Sequence, residues 1–584
     1  MPPTVPPHAR LRLPRLRSGD AQAGRITLAV LLGYGLVSFL WFGLHPLIQP
    51  GHQYIGDSDD PQIPIWSFAW WPHAIAHGLN PFVTHAVWAP HGVNLAWVNT
   101  VPPLALLFAP LTWAFGPVNS YNIAAVLLPA VAAWTAFLLC RHLTGRLWPS
   151  IVGGYLFGFS SYMLGHISGQ PQLTGVFCIP LVALLTLRYV EGDLGSPRLV
   201  VWLGLVLGLQ LYLSLEVAFT LTVALVGALV LAFLFVPERR RRLVQSIRPL
   251  AGAYAVAVVI ASPLLYFAIT DLRRAGFQPP GDYVADLLNF VIPTPDEAVG
   301  AGWSHAIAKH FPGNDSERGV YLGLPLLAVI ALYARAYWRT HGGRFVLAGL
   351  VLAAYAAFGP KLTVDGHHIV TLPTVFGHDR INVPGVGEKS LSLFNNTLPV
   401  RFALYVALAA AVIAALWMAK RARGLALWLL PALTLLALVP NVSLGTTTYS
   451  IPKFFTDASY RPCIQPGAIV FPEPVGGGGQ AMLWQVESDF RYRLAGGRLQ
   501  TSPPSAFLHP DTIAQISVGY PPARDQTQLL RAYFQKENVD YVIVDKRQAA
   551  TWTPAIDRIA RPHDVGGVLL YDISGRLSPS CPRH

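Results

Sequence analysis

The chain has 584 residues, of which 53% are hydrophobic and only 12% are charged, and its mean hydropathy is +0.43. So few charged side chains could not cover a soluble protein of this length, and the composition therefore indicates an integral membrane protein. The net charge of +12 could suggest a nucleic-acid partner. The arginines, however, cluster in short segments between apolar runs, which is the positive-inside pattern of membrane proteins, and we predict no nucleic-acid site.

Residues 1–25 are rich in proline and arginine and are predicted to form a disordered cytoplasmic tail. Residues 26–440 contain eleven apolar runs of membrane-helix character, some of them shorter than the roughly 20 residues that a span takes. The fold class predicted is mainly α, a polytopic membrane protein of about 11 transmembrane helices. The runs are Ile26–Leu47, Asn122–Leu139, Leu147–Leu164, Leu173–Tyr189, Leu199–Leu213, Val217–Val236, Leu250–Ile269, Val320–Tyr333, Phe345–Phe358, Val400–Met418 and Leu425–Val439.

A twelfth apolar segment, Leu104–Phe115, lies between Pro103 and Gly116 and is short for a span. If it does not cross the membrane, every strongly basic short loop lies on the same side as the arginine-rich N-terminus. We therefore predict a cytoplasmic N-terminus, an extracytoplasmic C-terminus, and a plasma or inner membrane location.

The first loop, residues 48–119, is acidic at its start and contains no lysine or arginine. Asp57, Asp59 and Asp60 lie close together just before Pro61, where a helix is predicted to run from about Pro61 to His77. The tryptophans of this helix suit the headgroup region, so we expect it to lie on the membrane. The aspartates either cap this helix or perform chemistry, and the residues alone favour neither role.

Residues 441–584 have the composition of a soluble domain, which we predict to be α/β and extracytoplasmic. Val539–Val544 is predicted to be a buried strand, preceded by a helix at Gln526–Glu537. Cys463 and Cys581 both lie in this region, and an oxidising exterior would permit a disulfide between them. Two unbonded thiols remain the alternative, because only proximity in the fold allows bonding.

Several stretches of the membrane part resemble the GT-C superfamily, which are membrane glycosyltransferases that use polyprenyl-phosphate sugars. The similar segments are GDSDDP, WSFAWWPHAIAHGLNPF, APHGVNLAW, PPLALLFAPLTWAFGPVNSYN and RHLTGR. The resemblance implies inverting sugar transfer from a polyprenyl-phosphate donor to a glycan, lipid or protein acceptor. It also implies that an acid of the first loop is the general base. Asp60 is the preferred candidate because it adjoins the predicted helix, with Asp57 second and Asp59 as the third possibility.

Six further residues are candidates for substrate binding, and each also has an ordinary structural explanation. Arg401 at the start of a span would suit the departing phosphate or would simply reach the interface. Glu216 is an ionisable group at a tight turn between two spans. The remaining candidates lie in predicted outer loops, where they could equally be solvated: His166, Gln170, Glu317 and Arg318.

The acids of the first loop offer oxygen ligands of the kind that Mg²⁺ or Mn²⁺ prefers, so a divalent metal stays an alternative. Without a second acidic cluster, a site with no metal and no cofactor is favoured. A transporter or lipid flippase is the main alternative function. Such folds usually contain internal repeats with broken helices at midplane, and the sequence shows no such repeat. A non-catalytic scaffold is a third possibility, although it would leave the acidic loop with no role beyond capping.

Overall fold

The computed structural model shows a helical bundle with a sheet-containing C-terminal domain packed on one end of it. The prediction of a mainly α membrane protein with a C-terminal α/β region is confirmed. The structure describes residues 18–56, 59–270, 280–374, 376, 381–383, 387–389, 397–421, 426–442, 445–474, 479–499, 503–509, 511–517 and 519–582. Asp57, the second candidate base, lies outside these residues, as does most of the predicted N-terminal tail.

Eight helical stretches in the described residues are long and apolar enough to cross a membrane. Each corresponds to one predicted run. The other three predicted runs form shorter apolar helices, which include Gly323–Tyr337 and Trp428–Ala437. The eight stretches are Gly24–Ile48, Pro117–Thr144, Pro171–Glu191, Ser196–Leu213, Leu215–Phe235, Pro237–Ile260, His341–Phe358 and Pro399–Lys420.

The α-helices are numbered in chain order over the described residues. They are α1 Ser18–Ser38, α2 Leu44–Ile48, α3 Gln62–Ala76, α4 Pro102–Leu107, α5 Ala109–Phe115, α6 Pro117–Thr144, α7 Leu147–Gly158, α8 Ser161–His166, α9 Pro171–Thr174, α10 Cys178–Glu191, α11 Ser196–Leu213, α12 Leu215–Phe235, α13 Arg240–Ile260, α14 Ser262–Thr270, α15 His305–Ala308, α16 Gly323–Tyr337, α17 His341–Phe358, α18 Ala403–Arg421, α19 Ala426–Ala437, α20 Lys453–Thr456, α21 Tyr460–Cys463, α22 Ala481–Glu487, α23 Asp511–Ser517, α24 Thr527–Lys536 and α25 Ala549–Trp552.

One predicted span is placed differently in the structure. The sequence predicts a single span at Leu250–Ile269, whereas α13 begins ten residues earlier at Arg240 and ends at Ile260, and α14 follows after a break. The arginine-rich first turns of α13 are helical but polar, so a hydropathy pattern could not detect them. Leu104–Phe115 forms the two short helices α4 and α5, each too short to cross at 1.5 Å per residue.

Small residues bring the central helices of the bundle into close contact. Helices α6 and α7 meet through alanines of α6 and glycines of α7. A Cβ atom at Gly158 would lie 2.4 Å from Cβ of Ala133, and one at Gly154 would lie 2.5 Å from the Ala133 oxygen. Such close backbone contacts are how membrane helices gain van der Waals packing where lipid provides no hydrophobic drive.

The first loop is anchored on α6 and on the chain that enters the C-terminal domain. Strand β1 (Gln53–Ile55) pairs antiparallel with β8 (Thr446–Thr448). Asn122, fully buried in α6, accepts from the Ile55 N–H at 2.9 Å and donates to the Gln53 carbonyl at 3.0 Å. These bonds fix the backbone immediately before the acidic segment.

Helix α3 does not lie among lipid headgroups, as its tryptophans had suggested. Trp66 is completely buried, and its Nε1 donates to Gln485 Oε1 of the C-terminal domain at 2.9 Å. The Trp66 ring stacks on Trp70, and both rings contact Phe490 edge-on. The interfacial placement was wrong because a protein domain, rather than lipid, covers these amphipathic rings; tryptophan suits either environment.

The C-terminal domain contains a five-stranded sheet with the strand order β10-β9-β11-β13-β12. β9 pairs in parallel with both β10 and β11, and β13 pairs antiparallel with both β11 and β12. Its strands are β9 Ile469–Glu473, β10 Arg493–Leu494, β11 Tyr541–Asp545, β12 Pro562–Val565 and β13 Val568–Asp572. The predicted buried strand and its preceding helix correspond to β11 and α24. The remaining strands form two-stranded pairs: β2 Val83–Thr84 with β3 Val93–Asn94, β4 Lys361–Val364 with β5 His367–Thr371, and β6 Ile381–Val383 with β7 Gly387–Lys389.

The first loop covers the edge of this sheet next to β10. The Leu494 N–H donates to the Ala86 carbonyl, the Ala89 N–H donates to the Leu494 carbonyl, and the Trp88 N–H donates to the Gly496 carbonyl. An edge strand that would otherwise expose unpaired backbone groups is thus paired with the first loop. The C-terminal domain and the first loop consequently lie at the same end of the bundle, which we call the loop face.

Cys463 and Cys581 form a disulfide, the outcome that the sequence left open. Both cysteines are buried, whereas Cys140 and Cys178 are buried free thiols of the bundle. The bond joins the end of the chain to the beginning of the domain, 118 residues earlier. A stable disulfide suits an oxidising compartment, which agrees with the predicted exterior location of the domain.

This location can be tested by labelling thiols in intact cells with a membrane-impermeant maleimide. We expect no label before reduction and label on Cys463 and Cys581 after reduction, because the domain lies outside and its bonded thiols are blocked. A Cys463→Ser/Cys581→Ser chain serves as the control and should stay unlabelled. Label that appears only after permeabilisation of reduced cells would contradict the predicted topology.

Candidate active site

Two cavities meet at Asp60 on the loop face. The smaller one, called the Arg401 cavity, has a volume of about 240 Å³, and the larger one, called the Arg498 cavity, about 500 Å³. Asp60, Gln170 and Asn314 line both. A carboxylate shared between two cavities can contact a molecule in each of them, which is the geometry that a transfer reaction requires.

The carboxylates of Asp59 and Asp60 are bound by an arginine from the C-terminal domain. Arg498 Nη1 lies 3.0 Å from Asp59 Oδ2, and Arg498 Nη2 lies 3.0 Å from Asp60 Oδ1. Both aspartate side chains are about one-fifth exposed. Helix α3 begins one residue later than predicted and has no side-chain cap at Pro61. The Asp60 carbonyl accepts from the Ile63 N–H at 3.1 Å, so Asp60 lies at the start of α3.

Two glycines allow the acidic segment to approach the loop that carries Gln170. Gly56 has φ +124°, and a Cβ there would lie 2.5 Å from Pro61 Cγ and 2.6 Å from the Ser168 oxygen. Gly169 has φ +134°, and a Cβ there would lie 2.7 Å from Pro61 Cδ. Only glycine fits such a backbone at such distances, so these two positions fix where Asp60 lies relative to Gln170.

Arg401, Glu216 and Glu317 form a partly buried ion-pair cluster on the wall of the Arg401 cavity. Arg401 Nη1 binds Glu216 Oε2, Arg401 Nη2 binds Glu317 Oε1, and Arg401 Nε lies 3.1 Å from both Glu317 oxygens. Glu216 Oε1 also accepts from the Leu398 N–H at 3.2 Å. Residues from three distant parts of the chain therefore converge, but each guanidinium nitrogen already donates to a carboxylate.

His166 connects Glu317 of this cluster to Gln170, which lines both cavities together with Asp60. His166 Nδ1 lies 2.8 Å from Gln170 Oε1, and its Nε2 lies 3.8 Å from Glu317 Oε2. Burial lowers the pKa of His166 to about 4 despite the nearby Glu317, so the ring is neutral at pH 7. Burial raises the pKa of Glu317, but the charge of Arg401 more than offsets this and leaves the pKa below its ordinary value. Glu317 is thus a carboxylate at neutral pH.

Arg318, like His166, is a predicted binding residue that lines neither cavity. Its guanidinium binds Asp315, donates to the Gly313 carbonyl at 2.9 Å and donates to the Phe311 carbonyl at 3.1 Å. It therefore stabilises the loop before α16. Gln172, by contrast, lines the Arg401 cavity.

Sequence reasoning missed Arg498 and Asn314. Asn314 caps the short helix Asp315–Glu317 by accepting from the Glu317 N–H at 3.2 Å, and so helps to orient that carboxylate. Arg498 lies 438 residues from Asp60 in a glycine-flanked stretch (AGGRLQ) of a different domain. No local sequence pattern identifies Arg498 as a site residue, and only its position in the fold shows that it contacts Asp60.

The described residues of the site offer a metal no evident set of ligands, because Asp59 and Asp60 are already bound to Arg498. Among all described residues, one group brings three possible ligand atoms together: His142, Glu191 and Asp193. These residues lie at the C-terminal ends of α6 and α10, apart from Asp60.

Comparison with known proteins identifies the family of the membrane part. A model for a domain of unknown function, DUF6311, matches residues 30–439. The chain belongs to this family. No curated protein matches the DUF6311 chain in sequence.

The fold of the DUF6311 chain is that of the GT-C superfamily, as the sequence resemblance implied. The structure of arabinofuranosyltransferase AftD from Mycobacteria superposes with a TM-score of 0.55 at 13% identity, covering 94% of this chain and 41% of AftD. Weaker similarities, with TM-scores of 0.47 and 0.46, are to ArnT from Cupriavidus metallidurans bound to undecaprenyl phosphate and to the oligosaccharyltransferase AglB from Archaeoglobus fulgidus. ArnT is 11% identical, and the match covers 96% of this chain and 99% of ArnT. AglB is 12% identical, and the match covers 95% of this chain and 75% of AglB.

Proposed function

We propose that the protein is an inverting membrane glycosyltransferase that moves a sugar from a polyprenyl-phosphate donor to an acceptor hydroxyl. The observation that carries this proposal is the position of Asp60, a carboxylate where two cavities of a GT-C fold meet. The similar structures include proteins described with dolichol phosphate and undecaprenyl phosphate, which supports a lipid-linked donor.

In the proposed reaction Asp60 is the general base. The acceptor oxygen attacks the anomeric carbon while its proton passes to an Asp60 carboxylate oxygen. The bond from the anomeric carbon to the phosphate oxygen breaks, and its electron pair remains on the departing polyprenyl phosphate. Attack from the side opposite to the leaving group inverts the anomeric configuration.

The Arg401 cavity is proposed to bind hydroxyl groups. Glu216, Glu317, Gln170 and Gln172 present carboxylate and amide oxygens to it, all of which accept hydrogen bonds from hydroxyls. Because Arg401 is held between two glutamates, its main role there is to position their carboxylates. The sequence-based expectation that Arg401 itself contacts the lipid phosphate stays a prediction. The acceptor could be a glycan, a lipid or a protein.

Incubation of the purified protein with a panel of polyprenyl-phosphate sugars tests the proposed function. We expect at least one donor to release polyprenyl phosphate in an acceptor-dependent reaction, because transfer and release are the same step. Incubation with polyprenyl phosphate that carries no sugar is the control, and it gives the signal of the lipid in the absence of transfer. Absence of release from every hexosyl and pentosyl donor, with folded protein and a mixed cell-envelope acceptor fraction, would contradict the proposal.

A further inference from the structure

Arg498 is presented to the site by the junction between the C-terminal sheet and the first loop. The Trp88 N–H donates to the Gly496 carbonyl at 3.0 Å, and Trp88 Nε1 donates to the Gly497 carbonyl at 3.2 Å. Gly497 has φ +143°, and a Cβ there would lie 2.2 Å from Val87 Cγ1. The backbone before Arg498 is therefore held on both sides, and the guanidinium position is set by the fold.

The guanidinium of Arg498 is partly available to a ligand. The bonds described for it use Nη1 and Nη2 and leave two N–H groups on those nitrogens and the Nε–H beyond the two carboxylates. Its side chain is 40% exposed, compared with 17% for Arg401, and it lines the larger cavity. Of the two arginines at the site, Arg498 is thus the one with donors open to the cavity.

The Arg498 cavity reaches the apolar surface of the first membrane helix. Leu40, Trp41 and Leu44 of the stretch Gly24–Ile48 form part of its wall, and Leu40 is half exposed. On the other side of the cavity Val442 is 60% exposed. One cavity therefore combines Arg498, three aspartates (Asp60, Asp296 and Asp315) and an apolar wall. The arginine suits the anionic head of an amphipathic molecule, and the apolar wall suits its tail.

We propose that Arg498 binds the phosphate of the lipid-linked donor in this cavity, with the prenyl chain leaving along the first membrane helix. This inference rests on the proposed function. In the transfer step Asp60 gains a proton and loses its negative charge. The departing phosphate gains one negative charge when its bond to the sugar breaks. A guanidinium that contacts both groups remains paired throughout, because the charge moves from one of its neighbours to the other. The C-terminal domain thereby supplies a substrate-binding residue to the membrane part.

Binding of polyprenyl phosphate tests this role independently of turnover. The full-length wild type, Arg498→Gln and Arg498→Lys would be titrated in detergent with polyprenyl phosphate, with polyprenol and with the soluble glucose 1-phosphate, and followed by native mass spectrometry. We expect Arg498→Gln to bind polyprenyl phosphate on the order of 30-fold more weakly, the loss typical of a hydrogen bond to a charged group. Arg498→Lys should lose less, and polyprenol affinity should not change.

Arg576→Gln is the matched control, since Arg576 lies in the same domain, is 65% exposed and pairs with Asp540 at 3.4 Å. It should bind polyprenyl phosphate as the wild type does. Unchanged affinity in Arg498→Gln, or an equal loss for polyprenol, would overturn the phosphate role. If glucose 1-phosphate bound as tightly as polyprenyl phosphate, the proposal that the prenyl chain lies along the first membrane helix would be overturned. A wild type that binds the lipid but transfers no sugar would instead refute only the proposed function.

Discussion

The Asp60→Asn variant is expected to transfer sugar about 100- to 10,000-fold more slowly than the wild type, because an amide cannot take the proton of the acceptor hydroxyl. Asparagine has the same shape and can still accept from Arg498 Nη2, which lies 3.0 Å from the Asp60 carboxylate. The variant should therefore fold and reach the membrane in normal amounts. Release of polyprenyl phosphate under single-turnover conditions measures the loss.

Two matched variants make this result specific. Asp59→Asn removes the neighbouring carboxylate, which binds the same arginine but does not line either cavity. Asp489→Asn removes an aspartate that is 82% exposed and pairs with His73 elsewhere on the loop face. Asp59→Asn should retain most of the rate, and Asp489→Asn nearly all of it. Full activity of Asp60→Asn would exclude Asp60 as the base and make Asp57 the next candidate.

The Arg401→Met variant is expected to lose about 3–5 kcal/mol of stability, because it leaves the carboxylates of Glu216 and Glu317 without their shared cation. The midpoint of thermal unfolding in detergent would show a large decrease. Lys361→Met is the control, since Lys361 is 45% exposed and pairs with Asp282 at 3.7 Å. Loss of such a surface pair should cost no more than about 1 kcal/mol.

A triple variant separates the structural role of this cluster from its role at the site. Arg401→Met/Glu216→Gln/Glu317→Gln removes all three charges, so most of the lost stability should return, as it does when buried ion pairs are replaced as a unit. Activity should remain low, because the glutamates are proposed to bind acceptor hydroxyls. Restored stability together with restored transfer would show that the cluster is structural only.

The membrane helices could be predicted from sequence because apolar runs of suitable length and basic intervening segments are local properties. The convergence of Glu216, Glu317 and Arg401 could also be anticipated, since ionisable groups at span ends tend to be functional. The ion pairs of Arg401 with Glu216 and Glu317 could not be predicted, because they depend on how three separate segments pack. The sequence could not show that Arg401 has two carboxylate partners, and its contact with the lipid phosphate stays a prediction.

Several of the missed features involve the contact between the first loop and the C-terminal domain. Trp66 and Trp70 have the same amphipathic character whether lipid or protein covers them, so the sequence favoured a headgroup location that the fold does not have. Arg498 and Gly497 become recognisable only when residues 86–89 are seen along the sheet edge. Long-range pairing between domains leaves no periodic signal in the chain.

The anomeric configuration of the product tests the central claim most directly. With the donor identified by the panel, the transferred sugar would be analysed by proton NMR before it can equilibrate. A base at Asp60 acting in a single displacement predicts a product with the configuration opposite to that of the donor. A product that retains the donor configuration would require a covalent intermediate or a different geometry, and would contradict the role of Asp60 as the general base.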